Sequence, residues 1–242
     1  MELRWQVKKI VRRLGYDIVP YHPLNYPDIR RRWMLLQHYS IDTILDVGAN
    51  QGQYAETMRK AGFKGKIISF EPLSAAYEIL AGKAGKDPKW STVQTALGEV
   101  AGRKTLNIAK KPQASSIRKM NPALMNSSDD MEFTGREEID IQTLDSLFDT
   151  YAGPNENVYL KIDTQGYERN VIEGARHSLS RIMGMQVELS LVELYDGEVV
   201  FDEMIGYIKK QGYTLMSLEP GYFDKQTGRL LQVDAIFFRE DS

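Results

Sequence analysis

From Thr43 to the carboxyl terminus, short apolar runs alternate with stretches that repeat their apolar residues at helical spacing. The apolar runs at 43–47, 66–70, 92–96, 158–162, 185–189, 214–217 and 233–238 predict strands. The segments 54–61, 74–84, 167–179 and 201–211 predict the helices that connect them. Gly62 and Gly212 mark two helix stops, because glycine enters the left-handed conformation without steric cost. Strands and helices in alternation predict an α/β fold, a parallel sheet with helices on its faces.

Two regions depart from that rhythm. Between 103 and 141, β-like segments at 104–108 and 138–141 flank a polar stretch containing Ser115, Ser116, Asn121, Asn126 and Ser127. An insertion of this kind forms either a substrate lid or a surface hairpin with a mobile tip. Thr143 follows as the expected N-cap of a short helix. At the other end, residues 1–14 mix Trp5, Val7, Ile10, Val11 and Leu14 with Arg4, Lys8, Lys9, Arg12 and Arg13. The run is too interrupted for a secretory or spanning segment and predicts a basic amphipathic helix. Such a helix either docks on the sheet or makes peripheral contact with an anionic membrane surface. Pro20, Pro23 and Pro27 predict an irregular connection, and a second helix is expected around 28–39. The chain therefore divides into a helical extension, 1–40, and an α/β domain, 41–242, with an insertion near 103–141.

Length and composition narrow the function. A chain of 242 residues fits one such domain with a small extension. Its formal charge of -2 supplies no broad basic face, so nucleic acid is not an expected partner. The absence of cysteine excludes disulfides, thiolate metal sites and thiol nucleophiles, and is consistent with the expected cytoplasmic location.

Candidate chemistry begins at Asp46-Val47-Gly48-Ala49-Asn50-Gln51-Gly52, where the first strand should give way to a helix. Gly48, and at the helix start Gly52, permit a tight turn and close approach of a ligand to the backbone. Asp46 puts a carboxylate ahead of the turn, suited to the cationic amino group of an amino acid and repellent to pyrophosphate. Asn50 stands where a dinucleotide fingerprint has its middle glycine. Glu71, at the end of the next strand, is placed to accept both hydroxyl protons of a ribose. An adenosine cofactor follows; an NAD-dependent oxidoreductase is the alternative that Gly48, Gly52 and Glu71 leave open.

Together with Phe70-Glu71-Pro72, Ala96-Leu97-Gly98, Thr143-Leu144-Asp145 and Leu160-Lys161-Ile162-Asp163-Thr164-Gln165-Gly166-Tyr167-Glu168, the run 44–52 resembles the FkbM methyltransferases over roughly residue 41 to the carboxyl terminus. The resemblance implies a class I methyltransferase fold, a Rossmann-like sandwich whose mostly parallel seven-stranded sheet carries an antiparallel C-terminal strand. It implies S-adenosylmethionine as donor and an oxygen acceptor on a sugar, glycolipid or polyketide-like small molecule. Carried over by motif, Asp46, Gly48, Asn50 and Gly52 surround the methionine and ribose portions, and Glu71 holds the ribose hydroxyls. Pro72, Leu73, Ala96 and Leu97 lie beside adenine, and Ser115 and Ser116 resemble a polar motif near the cofactor. Gln165 departs from the family, which often has glutamate there.

A hydroxyl acceptor must lose a proton, and Asp163, at the end of the fourth predicted strand beside the cofactor crevice, is the first candidate base. Glu188 is the second; with Asp163 it offers oxygen ligands for a divalent cation, which is a possible cofactor rather than an assigned one. Lys161 suits a structural ion pair. His22, His38 and His177 have no metal spacing, and His22 is of interest only as part of a segment able to cap the acceptor pocket. Glu193 and Tyr195 are expected either to contact substrate or to form a solvated loop. N-methylation of a small metabolite is the competing enzyme reading.

Overall fold

The computed structural model describes residues 2–16 and 22–240, so Pro20 lies outside the described residues. In chain order the elements are α1 (Glu2–Arg13), α2 (Pro27–His38), β1 (Thr43–Val47), α3 (Gln53–Ala61), β2 (Lys66–Phe70), α4 (Ser74–Ala84), β3 (Trp90–Val93), β4 (Ala96–Leu97) and β5 (Gly102–Ala109). They continue with α5 (Pro122–Met125), β6 (Phe133–Gln142), α6 (Leu144–Tyr151), β7 (Val158–Ile162), α7 (Glu168–Glu173), β8 (Ile182–Ser190), α8 (Phe201–Lys210), β9 (Thr214–Pro220) and β10 (Gln232–Phe238).

Seven strands form one sheet in the order β3-β2-β1-β7-β8-β10-β9. β10 runs antiparallel to both its neighbours, and the other pairings are parallel. The chain leaves β1 for β2 on one side and returns as β7 on the other. That reversal opens a crevice at the carboxyl ends of β1 and β7.

The side-chain period of two sorts each strand between two apolar layers. Ile44, Ile67, Tyr159, Ile236 and Phe238 pack against Leu36 of α2, Met58 of α3 and Leu80 of α4. Leu45, Val47, Ile68, Leu160 and Val187 pack on the other face against Phe148 of α6, Ile172 of α7 and Ile208 of α8. β1 and β7 are buried along their whole length, as central strands covered on both faces must be. One row breaks the apolar pattern. Register sets Ser69, Asp46, Lys161 and Gln186 side by side across β2, β1, β7 and β8.

Three expectations change. The strand expected over 92–96 splits, because Thr95 turns back to donate to the Val93 carbonyl. Ala96–Leu97 then joins β6 and β5 in a separate three-stranded sheet. The helix expected over 167–179 ends at Glu173. Just beyond it the chain passes so close to the Gly98 carbonyl that a Cβ at Gly174 would lie 1.9 Å from its oxygen, so that position requires glycine. The insertion is neither a free lid nor a bare hairpin: Ala114, Met120, Leu124 and Met131 pack with Leu194, Tyr195 and Leu231 into a small core of their own.

Gly62 and Gly212 are left-handed, as expected of helix stops. α2 covers the sheet, whereas α1 leaves Trp5 62% and Val7 43% exposed. No helix among the described residues is long and apolar enough to cross a membrane.

Candidate active site

The turn after β1 holds Gly48, Asn50 and Gly52 at positive φ. A Cβ on Gly48 would stand 1.8 Å from the Asp163 carbonyl oxygen, so glycine is what lets β1 and β7 end side by side. Asn50 tolerates its left-handed conformation by using its Oδ1 to accept from the Gln51 backbone N–H (2.9 Å). Its own N–H points at Glu71 Oε2 (2.8 Å), and the Leu73 N–H donates to Glu71 Oε1 (2.9 Å). Each oxygen of Glu71 is thus fixed by one donor and keeps a second acceptor site. Burial raises the Glu71 carboxyl to about 7, against the opposing effect of those two N–H groups.

A cavity of about 520 Å³ runs along this crevice. Leu73, Ala96, Leu97 and Leu106 make one apolar part of its wall, and Pro72 joins them. Gly48, Asn50 and Glu71 follow, then Lys161, Asp163 and Gln165 from the end of β7. Under α2 the wall becomes polar, with Arg32, Tyr54, Gln186 and Asp234.

Three of the expected cofactor-binding residues are not in this wall. Asp46 is fully buried behind it, where its carboxylate meets Lys161 Nζ (3.2 Å) and accepts from Ser69 Oγ (3.1 Å). It supports the site through Lys161 and offers no direct contact to an amino group. Gly52 faces away, and a Cβ there would stand 2.8 Å from the Trp90 ring, so its role is packing. Ser116 is buried, donating to the Gln165 carbonyl (2.6 Å), while Ser115 takes the place in the wall.

Around Asp163 the carboxylates are organised by one amide. Asp163 is about one-third exposed, with Oδ2 3.5 Å from Lys161 Nζ. Gln165 Nε2 donates to Asp163 Oδ1 (2.8 Å) and to Glu188 Oε2 (2.5 Å), and Gln165 Oε1 accepts from Tyr195 O–H (2.7 Å). Glu188 also accepts from Gln232 (2.8 Å) and sits behind Gln165, outside the cavity wall. Burial, reinforced by Asp163 and Asp234, raises its pKa well above the carboxylate range. It therefore does not present a second acid to an acceptor. A donor group stands between the two acids proposed as cation ligands, and no cluster of three metal-ligating side chains occurs among the described residues.

Lys161 reaches Asp46, Asp163 and the Gly48 carbonyl (3.1 Å). Burial lowers its pKa, but Asp46 and Asp163 outweigh that and raise it, so it is an ammonium ion here. Glu168 closes the turn after β7 by accepting from the Thr164 and Gly166 N–H groups. His22 uses Nδ1 to cap the short turn at Pro23–Asn25 and does not reach the cavity. Tyr195 is buried beneath Gln165, and Glu193 staples its own loop through the Gly197 N–H.

Among the wall residues that sequence reasoning missed are Ile29 and Arg32 of α2, with Tyr54, Gln186 and Asp234. A signal was available for two of them: Gln186 and Asp234 interrupt otherwise apolar runs in buried strands.

A family model, the methyltransferase FkbM domain, matches residues 46–215. Among solved structures, the chain is similar to a methyltransferase FkbM from Methylobacillus flagellatus KT, with a TM-score of 0.50 and 14% identity, covering 81% of this chain and 43% of that one. It spans less than half that protein's length, so the likeness concerns the fold alone. It is also similar to an rRNA methylase from Streptococcus thermophilus, with a TM-score of 0.47 and 10% identity over 93% of this chain and 100% of that one. No curated protein matched the sequence.

Proposed function

We propose, from the premise that this chain belongs to the FkbM methyltransferase family, that it moves a methyl group from S-adenosylmethionine to an oxygen of a sugar, glycolipid or polyketide-like small molecule. Methyl transfer comes with the family and sets aside the oxidoreductase alternative. The donor and the acceptor class are the proposal.

The observation that carries the donor is Glu71. Its two oxygens are held by backbone N–H groups from separate loops and keep acceptor sites free at the cavity wall. A vicinal diol needs that arrangement. The apolar wall at Leu73, Ala96 and Leu97 suits an adenine ring, and the volume lies in the range of small-molecule sites.

When bound, S-adenosylmethionine supplies a methyl group already activated by a positive sulfur. The chain's own work is orientation and proton removal. Asp163 would take the acceptor's hydroxyl proton as the oxygen–carbon bond forms and the donor's sulfur–carbon bond breaks, leaving S-adenosylhomocysteine. Lys161 and Gln165 each hold one of its carboxylate oxygens, which fixes the direction in which it faces. Arg12, Arg13 and the exposed Trp5 and Val7 of α1 suit an anionic lipid surface, where a glycolipid acceptor would be met.

The test incubates the protein with isotopically labelled donor and candidate acceptor extracts, then locates the label by mass spectrometry. Label on oxygen of a sugar-containing or polyketide-like product supports the reading. Label on nitrogen transfers the chain to the competing N-methyltransferase reading, and absence of donor binding by calorimetry overturns the proposal.

A further inference from the structure

The polar end of the cavity, beneath α2, has a composition of its own. Arg32 and Gln186 are more than nine-tenths buried, and both line the cavity with Tyr54 and Asp234. Arg32 Nε, Tyr54 Oη and Gln186 Oε1 have no hydrogen-bond partner among the described residues. Leaving such atoms unpaired in a dry interior is costly, so three of them on residues that line one cavity indicate a polar ligand.

The set is also mixed in charge. Arg32 pairs with Glu219 through one nitrogen only, and Lys161 stands 5.6 Å from the centre of the Tyr54 ring. The Gln186 carbonyl oxygen, on a residue that lines the cavity with Asp234, is an acceptor without a partner among the described residues. Unsatisfied donors on Arg32 and Tyr54 match a carboxylate; an unsatisfied acceptor beside Asp234 matches an ammonium group. Nucleobases and simple alcohols do not need both. A zwitterionic amino-acid head does.

We infer that Arg32, Tyr54, Gln186 and Asp234 form the subsite for the amino-acid end of the donor, a role the sequence motif assigned to Asp46. The inference rests on the donor proposed above. Arg32 and Asp234 fall outside the residues 46–215 that match the family domain. α2 is therefore part of the binding site, and the acceptor is left to approach along the Ser115 and Tyr167 side of the cavity.

Calorimetry with two ligands tests it. S-adenosylhomocysteine carries the amino-acid end, and 5′-methylthioadenosine has the same nucleoside and sulfur without it. The wild-type protein should bind the first more tightly by at least about tenfold, the size expected of charge-assisted hydrogen bonds. Arg32→Met and Tyr54→Phe should each weaken S-adenosylhomocysteine, Arg32→Met by roughly 10- to 100-fold, and leave 5′-methylthioadenosine within about twofold. Tyr54→Phe removes one oxygen and keeps the ring, so it carries the test if loss of the Glu219 partner unfolds the Arg32 variant. Equal weakening of both ligands, or no change in either, overturns the subsite. Wild-type protein that binds neither ligand overturns the donor reading itself.

Discussion

Glu71 shows how one residue can combine binding with a pH response. Its carboxyl ionises near 7 in the unliganded chain instead of near 4.5, because burial disfavours the charge. In the proposed donor site ribose hydroxyls would donate to the ionised form, so donor affinity is expected to strengthen as pH rises through about 7. Calorimetric titrations from pH 5.5 to 8.5 measure this, and Glu71→Gln should weaken binding and flatten the profile. The same shift makes stability fall as pH rises from about 4.5 to about 7, since the folded state holds a proton that the unfolded chain releases. Glu168, also raised by burial to about 7, acts in the same direction. Thermal melts of the unliganded chain should therefore lose part of their decline over this window in Glu71→Gln or Glu168→Gln. Gln165 is a different case, touching two carboxylates at once. Gln165→Met keeps the length of the side chain and removes the amide, so kcat is expected to drop about tenfold or more while donor affinity changes little.

At the scale of elements, close approaches govern the site. The β1–α3 turn works only because Gly48 allows the Asp163 carbonyl to lie where a Cβ would be. Gly48→Ala adds both that overlap and a disfavoured positive φ, and its expected result is loss of the cooperative unfolding transition in urea. By contrast, the expected N-cap at Thr143 is present, with Oγ1 accepting from the Ser146 N–H (3.2 Å), and it lies away from the cavity wall. Thr143→Ala should cost about 1 kcal/mol in denaturant titration and leave donor affinity unchanged.

For the whole molecule, the two amino-terminal helices differ in how far they pack on the domain. α2 is tied to the far edge of the sheet by Arg32 and Glu219, and it closes the cavity. α1 leaves Trp5 and Val7 exposed, and Leu14 just beyond it is exposed as well. Removal of residues 1–16 is expected to leave donor affinity and melting temperature nearly unchanged and to abolish recovery on anionic vesicles in co-sedimentation. Loss of donor binding on truncation would show that α1 contributes to the cavity.

The alternation of apolar runs determined the order of the strands in sequence, and the residues that resemble a family determined the turn after β1 and the acid after β2. These are local facts: a turn needs its glycine, a buried strand needs its apolar run, and both are written within a few positions. Whether a side chain meets ligand or protein is set by what stands opposite, and that is a matter of register and packing. Asp46 looked like a ligand group until β7 placed Lys161 beside it, and Glu188 looked like a second acid until Gln165 covered it. The polar wall under α2 joins residues 32, 54, 186 and 234, whose separation along the chain leaves no spacing to read. Only the folded sheet, with α2 laid across it, brought those four together.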